Sequence, residues 1–219
     1  MEQTIETHTD VLNYLIKKYG YKTYLEIGVG DPRDNFCLIE CEDKSGVDPY
    51  FDFNDVPEYS DTEVKEMIDT LVRYKCTSDE FFETLKEDVK YDLIFIDGYH
   101  SEEQCDKDIQ NALNHLSENG SVVVHDTCPY RKESAGERPV YAKGFTWNGD
   151  VYKSIYKLRA MNIWYVTAGF DFGITVIKWH KGFVKNDNVQ KMDITYEDFD
   201  RNRTLFLNMV SEKEFLREI

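Results

Sequence analysis

Residues 24–30, with the sequence YLEIGVG, place a short apolar run directly before two glycines that are one residue apart. The run predicts a buried β-strand at residues 24–27, and the glycines predict a tight turn at its carboxyl end. Since glycine has no Cβ atom, a ligand can approach the backbone of such a turn closely. In open α/β sheets, ligands bind at the carboxyl ends of the strands. The segment therefore predicts an α/β fold with a ligand site at this turn.

Further strands and helices alternate along the chain after this turn. Besides 24–27, the sequence predicts strands at residues 45–48, 74–77, 91–97, 121–124, 162–168 and 171–179, the last two joined by a tight turn through Gly169. Helices are predicted at residues 10–19, 60–73, 77–86, 101–116, 151–161, 196–209 and 212–217, with caps or capping boxes at Thr9, Ser60, Thr77 and Ser101 and ends at Gly20 and at residues 119–120. This alternation favours a mostly parallel sheet with right-handed crossovers and an antiparallel hairpin at its edge.

The charge of the chain is strongly unbalanced. It has 26 lysine and arginine residues against 42 aspartate and glutamate residues, so its formal net charge is -16. A protein of this charge repels nucleic-acid phosphates and anionic membrane surfaces, so neither is expected as a partner. A small-molecule or glycan partner fits better, and a metal ion would be attracted.

Two further features bear on the compartment. Residues 1–10 are polar and acidic, and no apolar run approaches the roughly 20 residues of a membrane span. The five cysteines are odd in number and lack the paired spacing of a zinc site, which favours reduced thiols. We therefore expect a cytoplasmic protein without a signal peptide.

Acidic residues lie at or near the ends of several predicted strands. Asp48, Asp97 and Asp126 follow three of them, and Glu26 lies two residues before Gly28. Because the carboxyl ends of parallel strands meet at one edge of a sheet, we expect these side chains to share one crevice. Asp48 follows the glycines by about twenty residues, the distance at which an acid binds a ribose diol in nucleotide-binding folds.

Ribose binding alone leaves two cofactor classes open, the nicotinamide dinucleotides and the adenosyl methyl donor. The dinucleotide fingerprint needs a third glycine for close helix packing. Here that position is Arg33, and Pro32 with a polar loop stands where the phosphate-binding helix would begin. The glycine pattern therefore disfavours a dinucleotide, although it keeps an NAD-dependent oxidoreductase as an alternative.

Several motifs together resemble class I S-adenosylmethionine-dependent methyltransferases. Residues 26–30 (EIGVG) look like the first motif of that family, and residues 46–49 (GVDP) look like its ribose-binding acid. More narrowly, residues 92–100 (DLIFIDGYH) and 122–127 (VVVHDT) resemble a metal-dependent O-methyltransferase subgroup that includes sugar O-methyltransferases. Residues 147–150 (WNGD) also look like small members of that subgroup. The resemblance covers roughly residues 8–180.

The resemblance implies a role for each matching residue. It implies that the cofactor is bound by Glu26, Gly28, Gly30, Asp48, Ser78, Asp79, Asp97 and Tyr99. It implies a divalent ion, Mg²⁺ or Mn²⁺, held by Asp97, His125 and Asp126, with catalysis by Asp97 and with His100 as the general base. It implies that the substrate is contacted by Trp147, Asn148 and Asp150. His125 stands where better-known relatives have glutamate, and imidazole suits Mn²⁺ better than Mg²⁺.

Plainer interpretations of some of these residues stay open. Tyr99 and Trp147 would serve equally as packing residues, and Asp150 as a helix cap. His125 would also suit a second base or a side chain that points away. The remaining histidines are interpreted as structural or solvent-exposed: His8, His115 and His180.

The expected protein is thus a Rossmann-like α/β methyltransferase with a mostly parallel seven-stranded sheet, a terminal antiparallel hairpin and helices on both faces. Residues 1–180 would form the S-adenosylmethionine-dependent domain, and residues 181–219 a helical extension packed on it, with a homodimer possible. The expected reaction is methyl transfer to a sugar hydroxyl. The alternatives are a catechol-like phenol as acceptor, an NAD-dependent oxidoreductase and a non-catalytic cofactor-binding protein.

Overall fold

The computed structural model describes residues 4–50, 73–136, 146–178 and 193–219. Its strands in these ranges are β1 (Thr23–Ile27), β2 (Asp43–Val47), β3 (Tyr91–Ile96), β4 (Leu116–Val124), β5 (Tyr165–Ala168) and β6 (Ile174–Lys178). Its α-helices are α1 (His8–Tyr19), α2 (Ser78–Thr84), α3 (Glu102–Asn114), α4 (Val151–Ala160), α5 (Tyr196–Phe206) and α6 (Glu212–Glu218). None of these helices is long and apolar enough to cross a membrane.

The six described strands form one sheet in the order β2-β1-β3-β4-β6-β5. Strands β2, β1, β3 and β4 are parallel to one another, and β6 runs antiparallel to both β4 and β5. The last residues of the four parallel strands are in register with one another: Val47, Ile27, Ile96 and Val124. The residues that follow these four strands are therefore brought to one edge of the sheet.

The sheet separates two apolar cores. Because successive side chains of a strand point to opposite faces, Ile94 and Ile96 of β3 lie in one core while Leu93 and Phe95 lie in the other. Helices α1 and α6 cover the Leu93 side, and helices α2 to α5 cover the Ile94 side. The continuous apolar run in β3 is thus explained by helices on both faces of the sheet.

The predicted seventh strand, at residues 74–77, is wrong. Tyr74 forms a single parallel bridge with Val47, and no strand continues from it among the described residues. The chain leaves the sheet after this one pair because Thr77 already caps α2. The helix predicted at residues 60–73 lies outside the described residues, apart from its last residue.

The terminal hairpin is present in outline, but its detail differs from the prediction. Strands β5 and β6 pair antiparallel, yet both are shorter than predicted, and residues 169–173 connect them instead of a tight turn through Gly169 alone. The C-terminal helices pack on the same body, since Phe199 of α5 and Phe215 of α6 are each completely buried in one of the two cores. The division of the chain at residue 180 stays a prediction.

The predicted helix caps and ends are confirmed in only some places, and the cap at Ser60 lies outside the described residues. Thr77 forms the predicted capping box with Glu80, and Gly20 ends α1 with φ of 67°. Thr7, rather than Thr9, caps α1, because the reciprocal bonds form with Asp10.

The two ends of α3 differ in part from the prediction. Ser101 caps α3 through the amide of Gln104, but the Gln104 side chain turns to α2 and leaves the predicted box half formed. Residues 119–120 do not end α3, which stops at Asn114, and they lie within β4 instead.

Candidate active site

The glycine turn after β1 is fixed by close packing at its first glycine. Gly28 has φ of 84°, and its amide donates to the carbonyl of Val47 at 2.9 Å. A Cβ atom on Gly28 would lie 2.2 Å from the carbonyl oxygen of Asp97. Gly30 also has a positive φ, 54°, but a Cβ there would meet nothing within 4 Å. The first glycine is therefore required by the neighbouring strand end, and the second leaves its outer face open.

Asp48 links the end of β2 to this turn. Its Oδ2 accepts a hydrogen bond from the amide of Gly30 at 2.9 Å, and its Oδ1 accepts one from the amide of Tyr50 at 2.8 Å. A carboxylate oxygen has two lone pairs, so each oxygen can accept a further bond. The residue predicted to bind ribose therefore lies against the glycine turn with acceptor capacity to spare.

Glu26 lies buried beneath the turn. Its Oε2 accepts hydrogen bonds from the Tyr24 hydroxyl at 2.5 Å and from the Asn35 amide at 2.9 Å. Burial raises the pKa of Glu26 to about 8, although both hydrogen bonds act in the opposite direction. Tyr24 could have been found from sequence, since residues two apart on a strand share a face. No local signal marks Asn35.

Ser78 and Asp79, which are predicted to bind the cofactor, begin α2 and are tied to α3. The Gln104 side-chain nitrogen lies 3.1 Å from Ser78 Oγ, 3.0 Å from Asp79 Oδ1 and 3.1 Å from Asp108 Oδ1. Asp108 is buried, and burial raises its pKa to about 6. Its Oδ2 lies 3.7 Å from where a Cβ atom on Gly98 would stand, directly after Asp97. Gln104 and Asp108 carry no sequence motif that singles them out.

Two carboxylates and two imidazoles converge next to the glycine turn, at the ends of β3 and β4. His100 Nε2 lies 3.5 Å from Asp97 Oδ1 and 3.3 Å from Asp126 Oδ2. His125 Nδ1 lies 3.3 Å from Asp97 Oδ1 and 3.9 Å from Asp126 Oδ2. Asp126 adopts φ of 58°, a conformation that non-glycine residues rarely take outside constrained sites. The four side chains together are called the acid–imidazole cluster below.

The outer ring nitrogen of each imidazole faces a backbone carbonyl. His100 Nδ1 is 2.7 Å from the carbonyl oxygen of Trp147, and His125 Nε2 is 2.9 Å from that of Asp171. A carbonyl only accepts, so these two nitrogens carry the protons. The inner nitrogens, His100 Nε2 and His125 Nδ1, are therefore the ones directed at the carboxylates.

The charges in the acid–imidazole cluster shift the pKa of every member. Burial acts to raise the pKa of Asp97, but the charge of His125 and hydrogen bonds with both histidines hold it well below its usual range. Burial raises the pKa of Asp126 to about 6. Burial acts to lower the pKa of each histidine, but Asp97 and Asp126 raise the pKa of His100, and the same two acids with Asp171 raise that of His125 well above its usual value. The site therefore favours positive charge between its two carboxylates.

The segment predicted to contact substrate wraps around His100. The Trp147 ring stacks on the His100 ring at 5.0 Å, and the amide of Asp150 donates to the His100 carbonyl at 2.9 Å. Gly149, with φ of 61°, passes so close that a Cβ atom would lie 1.8 Å from that carbonyl oxygen. Tyr99 is 63% exposed and meets Trp147 edge-on. Trp147 and Tyr99 thus form a partly open aromatic wall beside His100.

Asn148 and Asp150 differ from each other in this segment. Asn148 is buried and donates from Nδ2 to Asp126 Oδ1 at 2.6 Å, so it supports an acid of the cluster. Asp150 occupies the N-cap position of α4, but its side chain makes no capping hydrogen bond and pairs with Lys153 at 3.2 Å. The interpretation of Asp150 as a side-chain cap is therefore wrong.

Sequence reasoning missed two residues at this site, His8 and Asp171. The sequence predicts His8 as a structural or solvent-exposed histidine and Asp171 as the first residue of a strand. The structure instead puts His8 Nδ1 2.6 Å from Asp171 Oδ2, and Asp171 in the connection between β5 and β6. They are 163 residues apart in the chain, so no local spacing could join them.

Several solved structures with a similar fold are methyltransferases. The O-methyltransferase TomG of Streptomyces achromogenes, involved in tomaymycin synthesis and solved with SAM, superposes with a TM-score of 0.52 at 15% identity over 78% of each chain. A Podospora anserina methyltransferase with bound SAH gives 0.52 at 16% identity over 79% of this chain and 78% of that chain. An O-methyltransferase of Bacillus cereus with SAH gives 0.50 at 14% identity, covering 81% and 83%.

The sequence itself matches a family model. The family described as "Methyltransferase domain" matches residues 16–127, just over half of the chain and the part that holds the glycine turn, Asp48 and the acid–imidazole cluster. No curated protein matches the chain significantly. On this match the chain belongs to the methyltransferase-domain family, and it shares its fold with methyltransferases that were solved with SAM or SAH.

Proposed function

We propose that this protein transfers a methyl group from S-adenosylmethionine to a hydroxyl of a sugar, with help from a divalent cation. The acid–imidazole cluster carries the proposal, because it places two carboxylates and two imidazole nitrogens around one space beside the glycine turn. That placement would put a chelated hydroxyl next to the methyl donor. The resemblance of residues 92–100 and 122–127 to sugar O-methyltransferases supports the sugar over a catechol-like phenol, which chelates in the same way.

The residues present fit a divalent cation. In their neutral form, with the outer nitrogens protonated, His100 and His125 would direct lone pairs at Asp97. The cluster therefore favours positive charge at the inner nitrogens, supplied either by protons, as the raised pKa values of both histidines indicate, or by a bound cation. Metal-binding histidines commonly donate their outer N–H to a carbonyl, as both do here. Carboxylates suit Mg²⁺ and Mn²⁺, and an imidazole ligand favours Mn²⁺ of the two.

We assign different roles to the two histidines from their surroundings. His125 is largely buried at the inner wall and would hold the ion with Asp97 and Asp126. His100 lies against Trp147 on the more open side and would accept the proton of the acceptor hydroxyl. The bound ion would orient two neighbouring hydroxyls and lower the pKa of the one that is methylated.

A His100→Ala variant should separate these roles. We expect turnover to fall by about 10²- to 10⁴-fold, the usual contribution of a general base, with SAH and Mn²⁺ affinities unchanged. Added imidazole should restore part of the activity of this variant, because it can occupy the vacated space. The measurement is transfer of labelled methyl to a panel of vicinal-diol sugars, their monodeoxy analogues and catechols. Turnover equal to wild type at neutral pH would remove His100 as base, and loss of Mn²⁺ binding would make it a ligand instead.

An Asp48→Ala variant tests the donor site independently. Asp48 holds the amide of Gly30 and is proposed to bind the ribose, so its removal should weaken SAH binding about tenfold or more. Mn²⁺ affinity should not change, because Asp48 is not a member of the acid–imidazole cluster. Calorimetric titration of both ligands makes this comparison, and unaltered SAH affinity in the variant would exclude Asp48 from the cofactor site.

The alternatives are distinguished by specific observations. An NAD-dependent oxidoreductase is disfavoured because only a one-turn 3₁₀ helix, Phe36–Leu38, follows the glycine turn before β2, so no α-helix terminus faces a pyrophosphate there. Arg33, in the place of the third glycine, pairs with Asp31. A non-catalytic cofactor-binding protein would bind SAH normally yet methylate none of the panel under any divalent ion.

The proposal also covers the class of acceptor molecule. The net charge of -16 supports a small-molecule or glycan acceptor in place of nucleic acid or an anionic membrane. A cytoplasmic location and a homodimer remain predictions from the sequence.

A further inference from the structure

Three consecutive residues in the connection between β5 and β6 have left-handed backbone conformations. Asp171, Phe172 and Gly173 have φ of 47°, 59° and 95°. A bulky residue such as phenylalanine rarely adopts such a φ, and strained backbones persist only where surrounding contacts hold them. The contacts that hold this segment in place therefore indicate its role.

All three carbonyls of this turn accept hydrogen bonds from the segment that follows β4. The Gly173 carbonyl accepts from the Thr127 amide at 3.2 Å, and the Phe172 carbonyl from the Cys128 amide at 2.8 Å. The Asp171 carbonyl accepts from His125 Nε2 at 2.9 Å. The left-handed turn thus presents its carbonyls to the stretch that carries the cluster residues His125 and Asp126.

The side chain of Asp171 is anchored on the first residue of α1, and its Oδ2 also lies 3.6 Å from His125 Nε2. Its Oδ2 accepts from the His8 amide at 2.7 Å and lies 2.6 Å from His8 Nδ1. First-turn amides have no partner within their own helix. A carboxylate there is therefore favoured both by its hydrogen bond to an amide and by the positive end of the helix dipole. The His8 ring stacks on Phe95 at 5.4 Å and lies 4.5 Å from the His125 ring. His8 and Asp171 therefore enclose the outer side of His125.

We propose that Asp171, anchored by His8, is a positioning residue that holds His125 with Nδ1 directed into the acid–imidazole cluster. The inference rests on the proposed function, in which His125 is an ion ligand, and it adds two residues that fix that ligand. The three residues His8, His125 and Asp171 also have the composition of a metal site. They act as a support instead, because the nitrogen that His125 offers to them carries a proton donated to a carbonyl.

An Asp171→Gly variant tests the proposal, because glycine accepts a φ of 47° without strain while the anchoring carboxylate is lost. In a crystal structure of the ion-free variant, we expect the His125 ring to turn away from Asp97. Mn²⁺ affinity should fall about 10- to 100-fold, the usual effect of removing a group that orients a ligand histidine. Mg²⁺ affinity should fall less than Mn²⁺ affinity, because Mg²⁺ prefers oxygen ligands, and SAH affinity should change little, because His125 is not proposed to contact the cofactor.

An Asp171→Asn variant is the matched control. Asparagine tolerates left-handed φ and keeps a side-chain oxygen for the His8 amide, so it should restore the His125 orientation and most of the Mn²⁺ affinity. A second test combines Asp171→Gly with His125→Ala. If Asp171 acts through His125, then Asp171→Gly should cause no further loss of Mn²⁺ affinity in that background.

The outcomes separate this proposal from the proposed function. An unmoved His125 ring in Asp171→Gly would overturn the positioning role, as would equal Mn²⁺ losses with and without His125. If wild type binds a second equivalent of Mn²⁺ and His8→Phe does not, then His8, His125 and Asp171 form a second ion site and do not act as a support. If wild-type protein binds no divalent ion, the ion in the proposed function fails, while a turned ring in the variant still supports Asp171 as the positioning residue.

Discussion

A Gly28→Ala variant is expected to lose about 2 to 5 kcal/mol of folding free energy. The added Cβ atom would lie 2.2 Å from the Asp97 carbonyl oxygen and 2.4 Å from Gly98 Cα, both backbone atoms that cannot turn aside. Overpacking of this kind costs about 1–3 kcal/mol, and a left-handed φ on alanine adds roughly 1–2 kcal/mol. Thermal unfolding should therefore begin roughly 10 °C lower, at about 2–4 °C for each kcal/mol in a chain of this size.

Gly30→Ala is the matched control for this prediction. Gly30 has a similarly positive φ of 54°, but its Cβ atom would meet nothing within 4 Å. It should lose only the roughly 1–2 kcal/mol of backbone strain, so the difference between the variants isolates the clash with β3. Calorimetric melting of both proteins makes the comparison. Equal stability losses would contradict the close contact between the glycine turn and the end of β3.

An Asp97→Asn variant is expected to lower methyl transfer by about 10³-fold or more. Asp97 Oδ1 lies 3.3 Å from His125 and 3.5 Å from His100, whereas Asp126 is 3.3 Å from His100 but 3.9 Å from His125, so Asp97 is the acid of the cluster that lies close to both imidazoles. Its removal takes away a ligand of the proposed ion, which would contribute several kcal/mol of charge stabilisation. The variant should also lose Mn²⁺ binding, since the charge that attracts the ion is halved.

Asp92→Asn serves as its control, because Asp92 is on the same strand but at the opposite end. Its carboxylate accepts from the amides of Lys22 and Thr23 and from Ser117, far from the cluster. Methyl transfer by this variant, measured below its melting temperature, should stay within about threefold of wild type, since substitutions away from a site leave its chemistry alone. Comparable transfer by Asp97→Asn and Asp92→Asn would remove Asp97 from catalysis.

The sequence could predict the edge of the sheet where the site lies. The glycine turn, Asp48 and Asp97 each follow a strand with a strong local signal, and parallel strands carry the residues after them to the same edge. The convergence of His100 with Asp97 and Asp126 follows from that rule and from the turn between β3 and α3. These parts needed no knowledge of long-range packing.

Other parts of the site depend on contacts that no local pattern encodes. Tyr74 has a strand-like neighbourhood, but the cap at Thr77 ends its pairing after one bridge. The orientation of His125 depends on Asp171, whose left-handed turn is held by α1 at the other end of the chain. Asn148 resembles a substrate contact in the motif, yet its amide is directed at Asp126. Tertiary contacts decided each of these outcomes.

The most direct test is a calorimetric titration of SAH into chelator-treated protein, repeated with Mn²⁺ and with Mg²⁺ and with Asp97→Asn. We expect SAH to bind wild type with about micromolar affinity and Asp97→Asn still to bind SAH, although more weakly if Asp97 also contacts the cofactor. One equivalent of Mn²⁺ should bind to wild type and be lost in Asp97→Asn. Absence of SAH binding to the wild-type protein would contradict the account, most clearly if NADH gave a binding signal in the same experiment.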